Sequence, residues 1–167
     1  MSEPLFHSLA LDAILEPDFA DVHVVPLPPD ASTDPQFWVG QIFDIASAPA
    51  WVMALLGVRQ AVVGLIGVQP GTQQAFDIDR VVGEEALIDT DDRHLRFCCG
   101  VAVDAERSLL RVTTTVKLKG WRGQVYFTPV SLLHGPVVRA MMTKAVSRAQ
   151  RPGRDRWPRA SPDRRAV

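Results

Sequence analysis

Between His94 and Phe127 apolar and polar side chains alternate over long stretches, and a two-residue period fits a strand and little else. Leu95, Phe97, Cys99, Val101 and Val103 fall on one side, with His94, Arg96, Cys98, Gly100 and Ala102 on the other. After the polar loop 104–108, Leu110, Val112, Thr114, Val116 and Leu118 share a face opposite Arg111, Thr113, Thr115, Lys117 and Lys119. This pattern predicts an antiparallel hairpin with one face buried and one face wet. Gly120 and Gly123, flanking Trp121-Arg122, predict a further reversal, with Gln124–Phe127 as a last strand. An apolar sheet face cannot stand uncovered, so the rest of the chain must supply the cover.

Earlier segments supply candidates. Leu5–Leu15 is weakly amphipathic and predicts a short helix, and Ala20–Leu27 predicts a first strand with Val22, Val24 and Leu27 inward and Asp21 and His23 outward. Asp34 before Pro35 is a helix start, followed by Phe37, Trp38, Gln41, Ile42 and Ile45 at helical spacing. Ser47 and Pro49 open a second helix, whose stripe Trp51, Leu55, Val58, Val62 and Leu65/Ile66 runs to Gly67. Phe76, Ile78 and Val82 begin a strand series, with a turn at Val82–Glu84 into Ala86–Ile88. Ser131–Ala149 closes the chain as a helix with Leu133, Val137, Met141 and Ala145 on one face, regular from about Gly135 because Pro136 belongs in a first turn. The predicted class is α+β with a helix grip. A curved antiparallel sheet wraps around a long C-terminal helix, with two helices between strands one and two, all within one domain over residues 1–149.

The 167 residues suffice for one domain with a real core. No apolar run reaches the ~20 residues of a membrane span. Met1-Ser2-Glu3-Pro4 lacks the basic and apolar regions of a secretory leader, and the adjacent Cys98 and Cys99 cannot staple distant loops. A cytoplasmic location with reduced thiols is the expectation. The net charge of −1 divides into −6 over residues 1–147 and +5 over residues 148–167. Residues 150–167, rich in Arg and Pro, predict a loose basic tail. A basic tail can be a nucleic-acid arm, but with Trp157 as its single aromatic and no stacking series a loose, solvated extension is the expectation and nucleic acid is not.

The order of elements resembles the START and birch-pollen-allergen superfamily of helix-grip (SRPBCC) proteins. Several segments are more specifically similar to a bacterial family labelled a domain of unknown function: Pro49-Ala50-Trp51 with Leu55–Arg59, Asp91–Phe97, Thr113–Val116, Gly123–Phe127 and Val130–His134. The resemblance covers roughly residues 20–146 and omits the tail. It implies a fold with a cavity and no proven reaction. In that family the module often follows an NAD(P)-binding domain. This chain has no GxGxxG turn, so such a domain would be a partner on another chain, and no cofactor is expected here.

Chemistry-bearing residues are sparse. His94 beside Asp92 and Asp91 could serve as an acid–base pair, although a loop carboxylate more often shapes a turn. His134 opens the last helix, and one of Glu84 and Glu85 must point inward; Glu85 and His134 join Asp92 and His94 as catalytic candidates. The four histidines, 7, 23, 94 and 134, are dispersed with no metal-ligand spacing, so no metal is expected. Three readings follow. The first is binding of a small apolar molecule between sheet and last helix. Phe97, Cys99, Val112, Thr114, Val125 and Phe127 would line it from the ribbon, and Leu133, Val137 and Met141 from the helix. The second is a cyclase, dehydratase or hydrolase using the same space. The third is a packed interaction module, and the wet strand face also leaves room for a homodimer.

Overall fold

The computed structural model describes residues 7–44, 46, 48–55, 57 and 77–150, without the side chains of Arg122 and Tyr126. In chain order it forms α1 (Leu9–Ala13), β1 (Phe19–Pro26), α2 (Pro35–Ile42), β2 (Arg80–Val82), β3 (Glu85–Asp91), β4 (Leu95–Asp104), β5 (Leu109–Leu118) and α3 (Gly120–Ala149). Residues 50–55 are also helical. The expected run of that helix to Gly67, the strand start at Phe76 and the basic tail lie outside the described residues.

The ribbon forms as the alternation predicts. β4 and β5 pair antiparallel from Leu95↔Leu118 to Asp104↔Leu109, and β1 closes on β5 from Phe19↔Val116 to Pro26↔Leu109. The result is a five-stranded antiparallel sheet in the order β1-β5-β4-β3-β2. One face carries the main core. Ile88, Cys99, Val101, Val103, Leu110 and Val112 meet Trp38, Val39 and Ile42 of α2 and Met142, Ala145 and Val146 of α3. The α2 start is as read: the Asp34 carboxylate accepts from Gln36 N at 2.9 Å, with Pro35 in the first turn. Trp38 is fully buried, and its indole N–H donates to the Ser32 carbonyl at 2.8 Å.

Three expectations change. First, the second sheet face is not wet along its length. α1, capped by Ser8, lies across β3, β4 and β5, and Ala10 and Ile14 pack on Leu87 and Cys98. The hydroxyl of the buried Thr115 donates to Ala10 O at 2.8 Å, which offsets its burial, whereas the equally buried Thr113 hydroxyl has no partner among the described residues. Arg111, expected on the exposed face, instead pairs with the buried Glu85 at 3.2 Å. Ser8 Oγ donates to the same carboxylate at 2.6 Å. Gly100 makes room for it: a Cβ there would lie 1.9 Å from Glu85 Oε1.

Second, Gln124–Phe127 is helical, not a strand. Gly120, at φ 72°, breaks β5, and α3 then runs unbroken through Pro129 and Pro136. The inward residues Gly123, Phe127, His134, Val138, Met142 and Ala145 recur every three, four or seven positions, a helical stripe that the β-prone Val125-Tyr126-Phe127 run disguises. A Cβ at Gly123 would lie 2.4 Å from the His94 carbonyl oxygen, so this helix start fits only against a glycine. The core-facing residues of the second half are Met142, Ala145 and Val146, with Val138 and Met141 packed at the margin; of the expected Leu133–Val137–Met141–Ala145 row, Ala145 is buried in the core and Leu133 is exposed.

Third, the phase of β1 is inverted. Phe19, Asp21, His23 and Val25 point toward the helices, while Val22 and Val24 are exposed at 42% and 51%.

Cys98 and Cys99 are free, buried on opposite sheet faces, and burial above all pushes both thiols up to about 12. Thiolate is the reactive form, so a disulfide reagent near neutral pH is expected to label the folded protein at least about a hundredfold more slowly than the unfolded chain. Equal rates with and without denaturant, followed by release of the chromophoric thiol, would place the pair at the surface.

Candidate functional site

Inverting β1 puts two polar side chains where valines would be expected. Asp21 stands opposite Thr114 on β5, and His23 opposite Val112, both on the core face. α3 crosses this end of the sheet and delivers His134. Asp21 Oδ2 accepts from His134 Nδ1 at 2.8 Å and from His23 Nε2 at 3.0 Å. Side-chain exposures of 19%, 11% and 15% for Asp21, His23 and His134 make the cluster nearly buried yet reachable from solvent. Among the described residues, Asp21 Oδ1 is buried without a hydrogen-bond partner.

The surroundings hold the cluster in place. The Phe19 ring meets the Phe127 ring edge-on at 5.1 Å and the His134 ring at 5.5 Å. Gly135 brings the helix backbone to the His23 ring, since a Cβ there would sit 3.3 Å from His23 Cε1. Burial by itself would raise the Asp21 carboxyl, but the hydrogen bonds and charges of His134 and then His23 outweigh it and hold the group below its ordinary value. An ionised carboxylate gripping two imidazoles can orient a polar ligand, relay a proton or help hold a cation. These three residues also meet the distance requirement for a metal-ligating group, with their donor atoms within 4.8 Å of one another.

The residues singled out in the sequence scatter around this point. His134 belongs to the cluster, while Asp21 and His23 escaped notice because Val22 and Val24 form the more hydrophobic phase of the same strand. Asp92 is exposed and accepts from the Arg93 backbone N–H, shaping the β3–β4 turn, and His94 is anchored by its carbonyl, which accepts from Lys119 N at 2.8 Å. Glu85 lies on the opposite sheet face under α1. Of the expected lining, Cys99, Val112 and Thr114 are fully buried, the first two within the main core, and Phe97 and Met141 pack at its edge. Phe127 is buried against Phe19 beside the cluster and Val137 is half-buried, whereas Val125 and Leu133 are exposed on the outside of α3.

Two other polar constellations belong to the framework. A half-open cleft of about 320 Å³ is lined by His7, Val24, Glu84, Asp104 and Arg111 among others, and includes the Glu85–Arg111 pair. At the far end of β4, Arg96 donates to both oxygens of Asp89 at 3.1 and 2.7 Å. That bond, against the opposing pull of burial, holds the Asp89 carboxyl below its ordinary value of 3.8. The ionised form favours the folded state, so its contribution is complete above the unfolded pKa of 3.8 and fades as pH falls through the lower native value. Urea unfolding is expected to give the wild type an advantage over Asp89→Asn of under ~1 kcal/mol at neutral pH. That advantage should shrink below pH 3.8; an advantage that grows there would reverse the assignment.

A five-stranded antiparallel sheet with a long C-terminal helix across one face thus defines a mixed α/β protein with a histidine–carboxylate cluster between its first strand and last helix. No helix among the described residues is long and apolar enough to cross a membrane. The chain matches the model of the family "Protein of unknown function (DUF2867)" over residues 13–141, and it belongs to that family. No curated protein and no solved structure matches it.

Proposed function

We propose that this domain binds a small, mostly apolar molecule between the sheet and α3, with its polar end at the Asp21–His23–His134 cluster. The observation that carries this is the inverted phase of β1. Two ionisable residues occupy inward positions while Val22 and Val24 lie in water, an arrangement that gives up the burial of both valines. Local rules are broken in this way most often where function requires it. Trp38 and Met142 share the main core with Cys99 and Val112 of the expected central lining, and the proposed site lies instead at the β1 end, beside Phe19 and Phe127. We also propose membership of the helix-grip superfamily that includes START and birch-pollen-allergen proteins; the element order and the helix laid across the sheet support it.

Acid–base catalysis of the cyclase, dehydratase or hydrolase sort is the second reading, favoured by two imidazoles sharing one carboxylate. A packed interaction module, its centre closed, is the third.

An environment-sensitive apolar dye, titrated into the purified chain, is expected to bind with a Kd of about 1 μM, roughly −8 kcal/mol. His134→Gln should weaken it about tenfold while the far-ultraviolet circular dichroism stays unchanged. Absence of saturable binding, or binding indifferent to His134→Gln, removes the proposed site and leaves the packed module.

A further inference from the structure

We infer that Asp21, His23 and His134 form a binding site for one divalent transition-metal ion of the zinc type. The donor set is two imidazole nitrogens and one carboxylate oxygen, the combination used by metal centres that keep a coordination position open. The three groups come from two elements, β1 and α3, and from positions 113 residues apart, yet their donor atoms converge on one oxygen.

The distances are close to those an ion requires. Bonds of ~2.0–2.2 Å in a tetrahedron place ligand atoms roughly 3.3–3.6 Å apart. Here His23 Nε2 and His134 Nδ1 lie 3.0 and 2.8 Å from Asp21 Oδ2, so each nitrogen must draw back from that oxygen by about half an ångström, and all three donor atoms already lie within 4.8 Å of one another. Such an ion would replace the protons now shared between the rings and the carboxylate. Asp21 Oδ1 points to the same conclusion from another side. It is a buried acceptor with no partner among the described residues, a deficit that a cation held against this carboxylate would offset. The rings are already constrained: His134 by the Phe19 edge at 5.5 Å, His23 by the backbone at Gly135. Ligands fixed in advance lose little freedom on binding. With three protein ligands the ion keeps a fourth position, and the polar end of the molecule proposed above would occupy it. That last step rests on the ligand-binding reading; the metal site itself does not.

The test uses the full chain, freed of any affinity tag and stripped with a chelator, and Zn²⁺ alone as the probe. Competition against a chromophoric chelator is expected to show one ion per chain, and Co²⁺ in its place should give visible absorption bands of a low-symmetry site. His23→Gln, His134→Gln and Asp21→Asn should each weaken Zn²⁺ binding by about tenfold or more. The outlying His7 and His94 provide controls, and His7→Gln or His94→Gln should change nothing. Should the cluster variants unfold, Gly135→Val offers an independent route, because its side chain crowds the His23 ring without removing a ligand, and should weaken Zn²⁺ likewise. No stoichiometric binding, or binding that survives loss of His134 and follows His7 or His94, overturns the site. Dye binding by the metal-free chain, measured in parallel, reads the ligand proposal separately.

Discussion

Replacement of Trp38 by alanine is expected to lower the unfolding free energy by about 3–5 kcal/mol, a large part of the stability of a domain this size. Trp38 is fully buried at the centre of the main core, where α2 meets the sheet and the second half of α3. Truncation removes its apolar contact with the sheet and α3. It also strands the Ser32 carbonyl that now accepts the indole N–H. Phe37 packs edge-on against the same ring at 5.2 Å and loses its partner. Trp38→Phe keeps most of the volume and should cost considerably less. Urea titrations at constant slope measure both. A loss below ~1 kcal/mol for Trp38→Ala would mean that α2 is an appendage, not part of the core.

Arg111→Met is expected to destabilise by an amount toward the lower end of ~3–5 kcal/mol, the usual cost of leaving one partner of a buried ion pair alone. The Glu85 side chain is 8% exposed, between α1 and the sheet, and Arg111 is its only cationic partner among the described residues. Ser8 Oγ and Leu9 N still donate to Glu85 Oε1, which is why the upper end is not expected. The double variant Glu85→Gln with Arg111→Met should recover much of the loss, since no charge then stays buried. A double variant no better than Arg111→Met would show that the arginine stem and its hydrogen bond to the His7 carbonyl, and not its charge on Glu85, hold α1 to the sheet.

The local patterns determined a good deal. Strict alternation specified β4 and β5 and their antiparallel pairing, because burying one face of a hairpin excludes a one-residue slip, which would turn Val101 and Val112 to the other face. Asp34-Pro35 specified where α2 begins, since a cap and a fixed φ act within one turn of chain. What alternation could not decide was how many faces of the sheet would be covered. Thr113 and Thr115 read as wet, and they are buried because a five-residue helix some hundred positions earlier folds back over them.

The helix that carries His134 was equally illegible at its start. Val125 and Phe127 favour a strand, and two prolines argue against a long helix, yet the contacts of Gly123 and Phe127 with the sheet override both preferences. The site depended on tertiary structure most of all. In β1 the two phases, Phe19-Asp21-His23-Val25 and Ala20-Val22-Val24-Pro26, compete, and hydropathy alone selects the second. The fold selects the first because Phe19 finds Phe127, Val25 reaches the core, and Asp21 satisfies two histidines that no local spacing connects. Side-chain periodicity reports which face is apolar. Whether a polar face can be buried depends on partners that arrive from elsewhere in the chain, and only the folded structure brings them together.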